Sequence, residues 1–134
     1  MIAYNKNRFF ENIFELKNIA VVGLSPNPVR PSNYVSRYML ENGYNIIPVN
    51  PVHKSIFNIE CFPSLDSIPC SIDIVNIFRN SKYVLPIIKS ALSIEPKVIW
   101  LQDGVVFNEG KILAQKSGVK FVFNDCILIK HRSW

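Results

Sequence analysis

The sequence predicts an α/β domain of three layers, with helices on both faces of a five-stranded, mostly parallel sheet. Three observations carry this. Five short β-branched runs are apolar along most of their length instead of alternating, as strands covered on both faces are. Most of the segments between them are long enough for a helix and amphipathic, which joins successive strands as parallel βαβ units. Finally, 134 residues, 49% of them hydrophobic, are enough for one core and too few for two. The architecture is Rossmann-like, a single domain over 1–134 with no linker or repeat.

Each element has its own reason. Within residues 1–17, Phe10, Ile13, Phe14 and Leu16 suggest an N-terminal helix that packs on the sheet. Asn18–Gly23 is the first strand. Ser32 is placed to cap a helix whose face carries Val35, Tyr38 and Met39, and Gly43 to end it. Tyr44–Val49 is the second strand, and Asn50 to Pro63 reads as a loop with one short extended piece at most. Ile72–Phe78 is the third strand. Val84, Ile87, Ile88 and Ala91 then recur at helical spacing, with Pro86 confined to an irregular first turn. Lys97–Leu101 is the fourth strand, Asn108 caps a helix to Gly118, and Val119–Phe123 is the fifth. The tail Cys126–Trp134 is too short to assign.

Charge and composition narrow the partners. Fifteen Lys and Arg against ten Asp and Glu leave a net charge of +5, scattered and not clustered. A small phosphorylated ligand fits this better than nucleic acid. No apolar run approaches the roughly 18–20 residues of a membrane span, and the first 18 residues carry charges throughout instead of a leader core. No membrane partner is expected, and the expected compartment is cytoplasmic. Cys61, Cys70 and Cys126 form no CxxC pair, which reads as buried thiols in a reducing compartment. Two distant histidines argue against zinc. Trp100 reads as core, and His131, between Lys130 and Arg132, as a surface residue.

In a doubly wound sheet, ligands bind outside the carboxyl ends of the strands, near the point where strand order reverses. Polar, glycine, proline and cationic residues gather at those positions: Gly23 to Ser32, Asn50 to Lys54, Arg79 to Ser81, and Gln102 to Gly104. The first loop keeps only Gly23 of a dinucleotide fingerprint, yet Ser32 and the N–H groups after it suit an anion at a helix N-terminus, with Arg30 adding charge. A plain connection stiffened by prolines is the alternative. After the second strand, where an acid would bond a ribose hydroxyl, stand Asn50 and Pro51, then His53 and Lys54. That argues against NAD and leaves NADP or coenzyme A. Lys54 taken alone reads as a solvated lysine, and its place beside the crevice brings a phosphate contact level with that reading. Arg79 could meet phosphate or pair with Asp103. Gln102 and Gly104 suit hydrogen bonding and close backbone approach, or an ordinary turn. Cys126 could face the crevice, although a buried inert thiol fits it better.

A set of ordered segments carries a family resemblance: Ile19 to Pro28, Arg30-Pro31-Ser32, Ile47-Pro48-Val49-Asn50-Pro51, Cys61 to Leu65, Asp73-Ile74-Val75, Phe78-Arg79 and Trp100 to Val105. From about Asn18 to Arg132 the chain resembles the small stand-alone CoA-binding domain proteins. That family is similar in turn to the CoA-binding domain of succinyl-CoA synthetase α subunits and ADP-forming acyl-CoA synthetases. The resemblance implies that coenzyme A lies across the strand ends. It puts Gly23, Ser25, Arg30 and Ser32 in the phosphate-facing loop, and Asn50, Pro51 and Lys54 near the adenosine. Phe78, Arg79, Gln102 and Gly104 then form the remaining wall. Lys54 is the expected partner of the 3′-phosphate.

The synthetases carry a further domain with a phosphorylated histidine, and no such domain is expected after the fifth strand here, so neither His53 nor His131 inherits that role. The expected function is non-catalytic binding of small-molecule CoA or acyl-CoA, with no catalytic or metal-ligating residue. The alternative is an enzyme, either an NADP-dependent reductase or a CoA-thiol transferase using Cys126. An interaction module that reports CoA to an unidentified protein partner is a third reading.

Overall fold

The apolar runs pair as five parallel strands in a computed structural model that describes residues 12–134. These are β1 (Asn18–Val22), β2 (Asn45–Val49), β5 (Ile74–Ile77), β6 (Val98–Leu101) and β7 (Lys120–Val122), in the order β2-β1-β5-β6-β7. Ile19 is in register with Ile46 on one side and Ile74 on the other. Alternate residues serve opposite faces. Ile19, Val21, Ile74, Val98 and Trp100 enter one core with Val35 and Met39 of helix α1 (Pro31–Glu41) and Ile127 of helix α4 (Ile127–Ser133). Ala20, Val22, Val75, Ile99 and Leu101 enter the other with Ile88 of α2 (Val84–Ser93) and Ala114 of α3 (Asn108–Lys116). Strands covered on both faces need no polar alternation, which is why they read as continuous apolar runs.

Several local expectations are corrected. Ser32 does not cap α1: Arg30 takes that position and Pro31 is the first helical residue, where its fixed φ and missing N–H cost nothing. Asn108 likewise begins α3 instead of capping it. The loop after β2 contains a two-stranded antiparallel hairpin, β3 (Ser55–Ile56) and β4 (Ile59–Glu60), whose turn puts Phe57 and Asn58 at φ +58° and +59°. Such a turn is usually announced by Asn-Gly, and Phe-Asn carries no such signal. The irregular first turn expected around Pro86 is not found: Pro86 is the third residue of the regular helix α2, and the tight turn lies ahead of it at Ser81–Tyr83.

The tail is the helix α4, and His131 on it is half-buried among aromatic rings and not free on the surface as expected. Its Nδ1 lies 2.8 Å from the Tyr38 hydroxyl, and its ring packs edge-on against Phe14, Tyr38 and Tyr44. Burial, and secondarily the nearby Lys17, hold its pKa below the ordinary value. Tyr44 donates its hydroxyl to the Phe14 carbonyl at 2.6 Å, and burial, with repulsion from Tyr38, pushes its pKa up to about 12. Of the expected N-terminal helix, residues 12–14 are helical, with Ile13 and Phe14 buried in the core. Leu16, beyond the helical residues, packs against the same core, and Phe10 with the rest of residues 1–11 lies outside the described residues. The three cysteines are free, but only Cys61 is buried, and burial raises its pKa; Cys70 is exposed and Cys126 half-buried. Among the described residues, no helix is long and apolar enough to cross a membrane.

Candidate functional site

Strand order reverses between β1 and β5, so the connection after β1 leaves towards β2 and the one after β5 leaves towards β6. The gap between them is where a doubly wound sheet opens a crevice. Gly23 stands at its mouth with φ +85°, and a Cβ there would come within 2.7 Å of the Phe78 carbonyl oxygen and 3.2 Å of Arg79 Cδ. Glycine is therefore required twice over, by conformation and by the close approach of the two strand ends.

The loop from Gly23 to Arg30 is braced by its own polar side chains. The Ser32 hydroxyl accepts the Ser25 N–H at 3.0 Å, and Ser25 Oγ accepts the Asn27 N–H at 3.1 Å. Asn33 donates to the Ser25 carbonyl at 2.8 Å from a buried position. Pro31 has no N–H, and the Ser32 N–H lies one residue short of the intrahelical bonds, so the first turn of α1 keeps donor capacity for an anion. Asn50 ties the second loop to the first: its Nδ2 donates to the Leu24 carbonyl at 3.0 Å, and its Oδ1 accepts the N–H groups of Val52 and His53. Its side chain is thus engaged at both ends in holding the walls together.

Two cavities open along these strand ends. One, of about 540 Å³, lies between the loops after β1 and β2, where Asn50, Pro51 and His53 meet Arg79 and Tyr83. The other, of about 500 Å³, joins Ser25, Arg30 and Ser32 to Arg79, Gln102 and Gly104. Gly23, Ser25, Phe78 and Arg79 line both, so the two form one groove with Phe78 and Arg79 at the junction. Arg79 is exposed and lies over the Tyr83 ring at 5.2 Å, a contact that orients the guanidinium without neutralising it. A larger cavity of about 610 Å³, against Leu92, Pro96 and Val119, is at the opposite ends of the strands and meets none of these loops.

Of the expected site residues, the fold brings Gly23, Ser25, Arg30, Ser32, Asn50, Pro51, Phe78, Arg79, Gln102 and Gly104 to this groove. Lys54 is the exception. It is exposed at the start of the hairpin, its carbonyl accepting the Cys61 N–H, and His53 takes the wall position. Arg79 and Asp103 share a wall, yet among the described residues the recorded ion pair is Lys130 with Asp125 at 3.6 Å. Gly104 serves a turn, at φ +86° with its N–H on Asn124 Oδ1, and a Cβ there would meet nothing within 4 Å. Gln102 does double duty: it lines the groove while its Oε1 accepts the Ile127 N–H at the start of α4.

The sequence pattern of the CoA binding domain matches residues 17–132. The chain belongs to the CoA binding domain family. A relative within reach of this CoA binding domain chain is the uncharacterized protein YneT of Bacillus subtilis, 38% identical over 115 residues that span 86% of this chain and 85% of that one. The structure of cell-free ID.343 from Thermus thermophilus superposes with a TM-score of 0.91 at 30% identity, covering 97% of this chain and 98% of that one. The acetate–CoA ligase [ADP-forming] I of Archaeoglobus fulgidus is 24% identical over 127 residues, 87% of this chain but only 18% of the ligase.

Reading the sequence missed Tyr83 as a wall residue and α4 altogether, and at the second loop, where it placed both His53 and Lys54, it chose Lys54 over His53 as the wall residue. Tyr83 follows the third strand at a distance at which only the tight turn folds it back. For α4, a seven-residue tail carried too few periods of hydrophobic spacing to be read.

Proposed function

We propose that residues 1–134 form a single domain that binds coenzyme A or an acyl-CoA across the carboxyl ends of the strands, in a cytoplasmic setting, and catalyses nothing itself. The observation that carries this reading is the continuous groove through Phe78 and Arg79, with arginines at its centre and no acid after β2. The adenosine lies between the loops after β1 and β2. The pyrophosphate lies against Ser25, Ser32 and Arg30, and the pantetheine runs past Phe78 towards Gln102. The Archaeoglobus ligase is by its name an enzyme of CoA, which supports the ligand; the chain spans too little of it to bring the ligation chemistry along. Among the titratable groups of the groove, Arg30, Arg79, Asp103, His53 and Tyr83, no side-chain hydrogen bond joins a nucleophile to a base that would activate it.

Thermal melts with CoA, dephospho-CoA, NADP and ATP test the reading. CoA at 100 times its Kd stabilises by about 2.7 kcal/mol, and the other three stabilise less at the same concentration. Stabilisation by NADP with none by millimolar CoA overturns the proposal. Lys54 stands outside the groove wall but is exposed next to His53, and its long side chain reaches a 3′-phosphate at the rim. In the same panel, Lys54→Ala erases the preference for CoA over dephospho-CoA, and an unchanged preference transfers the 3′-phosphate to Arg79 or Arg30.

One observation favours a second reading: Cys126 is half-buried on the wall of a cavity that adjoins the groove. There its thiolate attacks a CoA disulfide, forms a mixed disulfide and releases one CoA thiolate, which takes up a proton. Incubation with oxidised CoA yields an adduct that Cys126→Ser abolishes; without an adduct this reading fails.

A further inference from the structure

Past Phe78 the groove continues into an annex of about 320 Å³, walled by Tyr34 and Val35 of α1 and by Cys126, Leu128 and Ile129 of α4. Pro31, Phe78, Gln102 and Asp103 line both the annex and the phosphate-facing cavity, so a ligand can pass from one to the other. The chemistry changes across that wall. The phosphate-facing side has arginines and serines, whereas the annex is mostly apolar, its polar groups being Gln102 and Asp103 at the entrance, the Tyr34 hydroxyl and the Cys126 thiol.

Gln102 is the informative residue there. Its residue is 3% exposed, and its Oε1 accepts the Ile127 N–H at 3.1 Å. A backbone N–H can only donate, so the amide cannot be flipped and its NH2 group is turned away from Ile127. Among the described residues, no acceptor takes that NH2. A donor without a protein partner that stays accessible from the groove, on a residue otherwise nearly buried at the boundary between a polar groove and an apolar annex, is placed for a carbonyl oxygen on a chain that crosses the boundary. Two inter-strand spacings, about 10 Å, separate the end of β1 from that of β6, which a pantetheine arm can span.

We infer that the annex holds the acyl group of a short, uncharged acyl-CoA, with Gln102 Nε2 donating to the thioester carbonyl, so that the loaded thioester is preferred over free CoA. This rests on the proposed CoA site, which supplies the anchor for the phosphates. The volume lies at the lower end of ligand cavities and suits a chain of a few carbons. Asp103 at the entrance disfavours a carboxylate-bearing acyl group, and the aliphatic walls favour an alkyl one.

Calorimetry on the full chain with CoA, acetyl-, butyryl- and succinyl-CoA tests the inference. Each buried methylene is worth about fourfold in affinity, so butyryl-CoA binds on the order of tenfold more tightly than acetyl-CoA, and succinyl-CoA no more tightly than CoA. Ile129→Trp, at an exposed position on the annex rim, lowers the ratio of butyryl-CoA to CoA affinity while a thermal melt shows the protein still folded. Alkylation provides a second readout: butyryl-CoA slows the reaction of Cys126 more than CoA does, with exposed Cys70 as internal reference. Equal affinities for CoA and butyryl-CoA, with equal protection of Cys126, overturn the annex and leave the CoA site standing. Failure of every one of these thioesters and of CoA to bind overturns the CoA site, and the annex with it.

Discussion

Gly23 and Gly43 share a left-handed backbone, at φ +85° and +91°, but differ in what surrounds them. A Cβ on Gly43 would meet nothing within 4 Å, whereas on Gly23 it would press on the Phe78 carbonyl, which cannot withdraw without moving β5. Gly43→Ala therefore costs only the conformational penalty, roughly 1 kcal/mol. Gly23→Ala costs on the order of 2 kcal/mol or more and weakens CoA binding as well, because the crevice must widen. Urea denaturation of both variants, with CoA titrations alongside, measures the difference; equal losses of stability mean that the close approach carries no energy. The sequence marked Gly23 as the remnant of a phosphate loop. That its neighbour is Phe78, 55 positions along the chain, followed only from the pairing of β1 with β5.

α4 shows how an element can be decisive and nearly unreadable. It has seven residues, yet it supplies a wall of the annex, receives the Gln102 side chain at its start, and carries His131 into a cluster with Phe14, Tyr38, Tyr44 and Trp134. Burial disfavours the charged imidazole, and the Lys17 ammonium adds repulsion. The folded pKa is thus below the ordinary value of 6.5, and between the two the unfolded chain binds more protons than the folded one. The stability contributed by neutral His131 is complete above about pH 6.5 and is lost as pH falls through the folded pKa. Denaturation midpoints measured from pH 8 to pH 5 fall on this limb, and His131→Phe flattens the slope; an identical slope in the variant places the titration elsewhere. β1, β2, β5 and β6 were legible from sequence because burial on both faces leaves a mark on every residue. A short terminal helix leaves its mark only on Ile127 and a few neighbours.

Across the whole molecule, the +5 charge has a direction only in the folded state. Arg30 and Arg79, 49 positions apart, face one cavity, so they attract a polyanionic ligand at a defined place. Affinity for CoA therefore falls as salt rises from 50 to 500 mM, because screening shortens the reach of these exposed charges. Arg79→Ala makes the dependence shallower, as titrations at four ionic strengths will show; a salt-independent affinity removes the arginines from the site. The sequence by itself determined the layered α/β class, the main strands and the loops at which a ligand would be met, since hydrophobic periodicity and loop chemistry are local properties of the chain. The tertiary structure alone decided that Asn50 braces the walls, that His53 and not Lys54 lines the groove, and that the tail closes an apolar annex beside Gln102. These depend on contacts between residues distant in sequence, which no local pattern records.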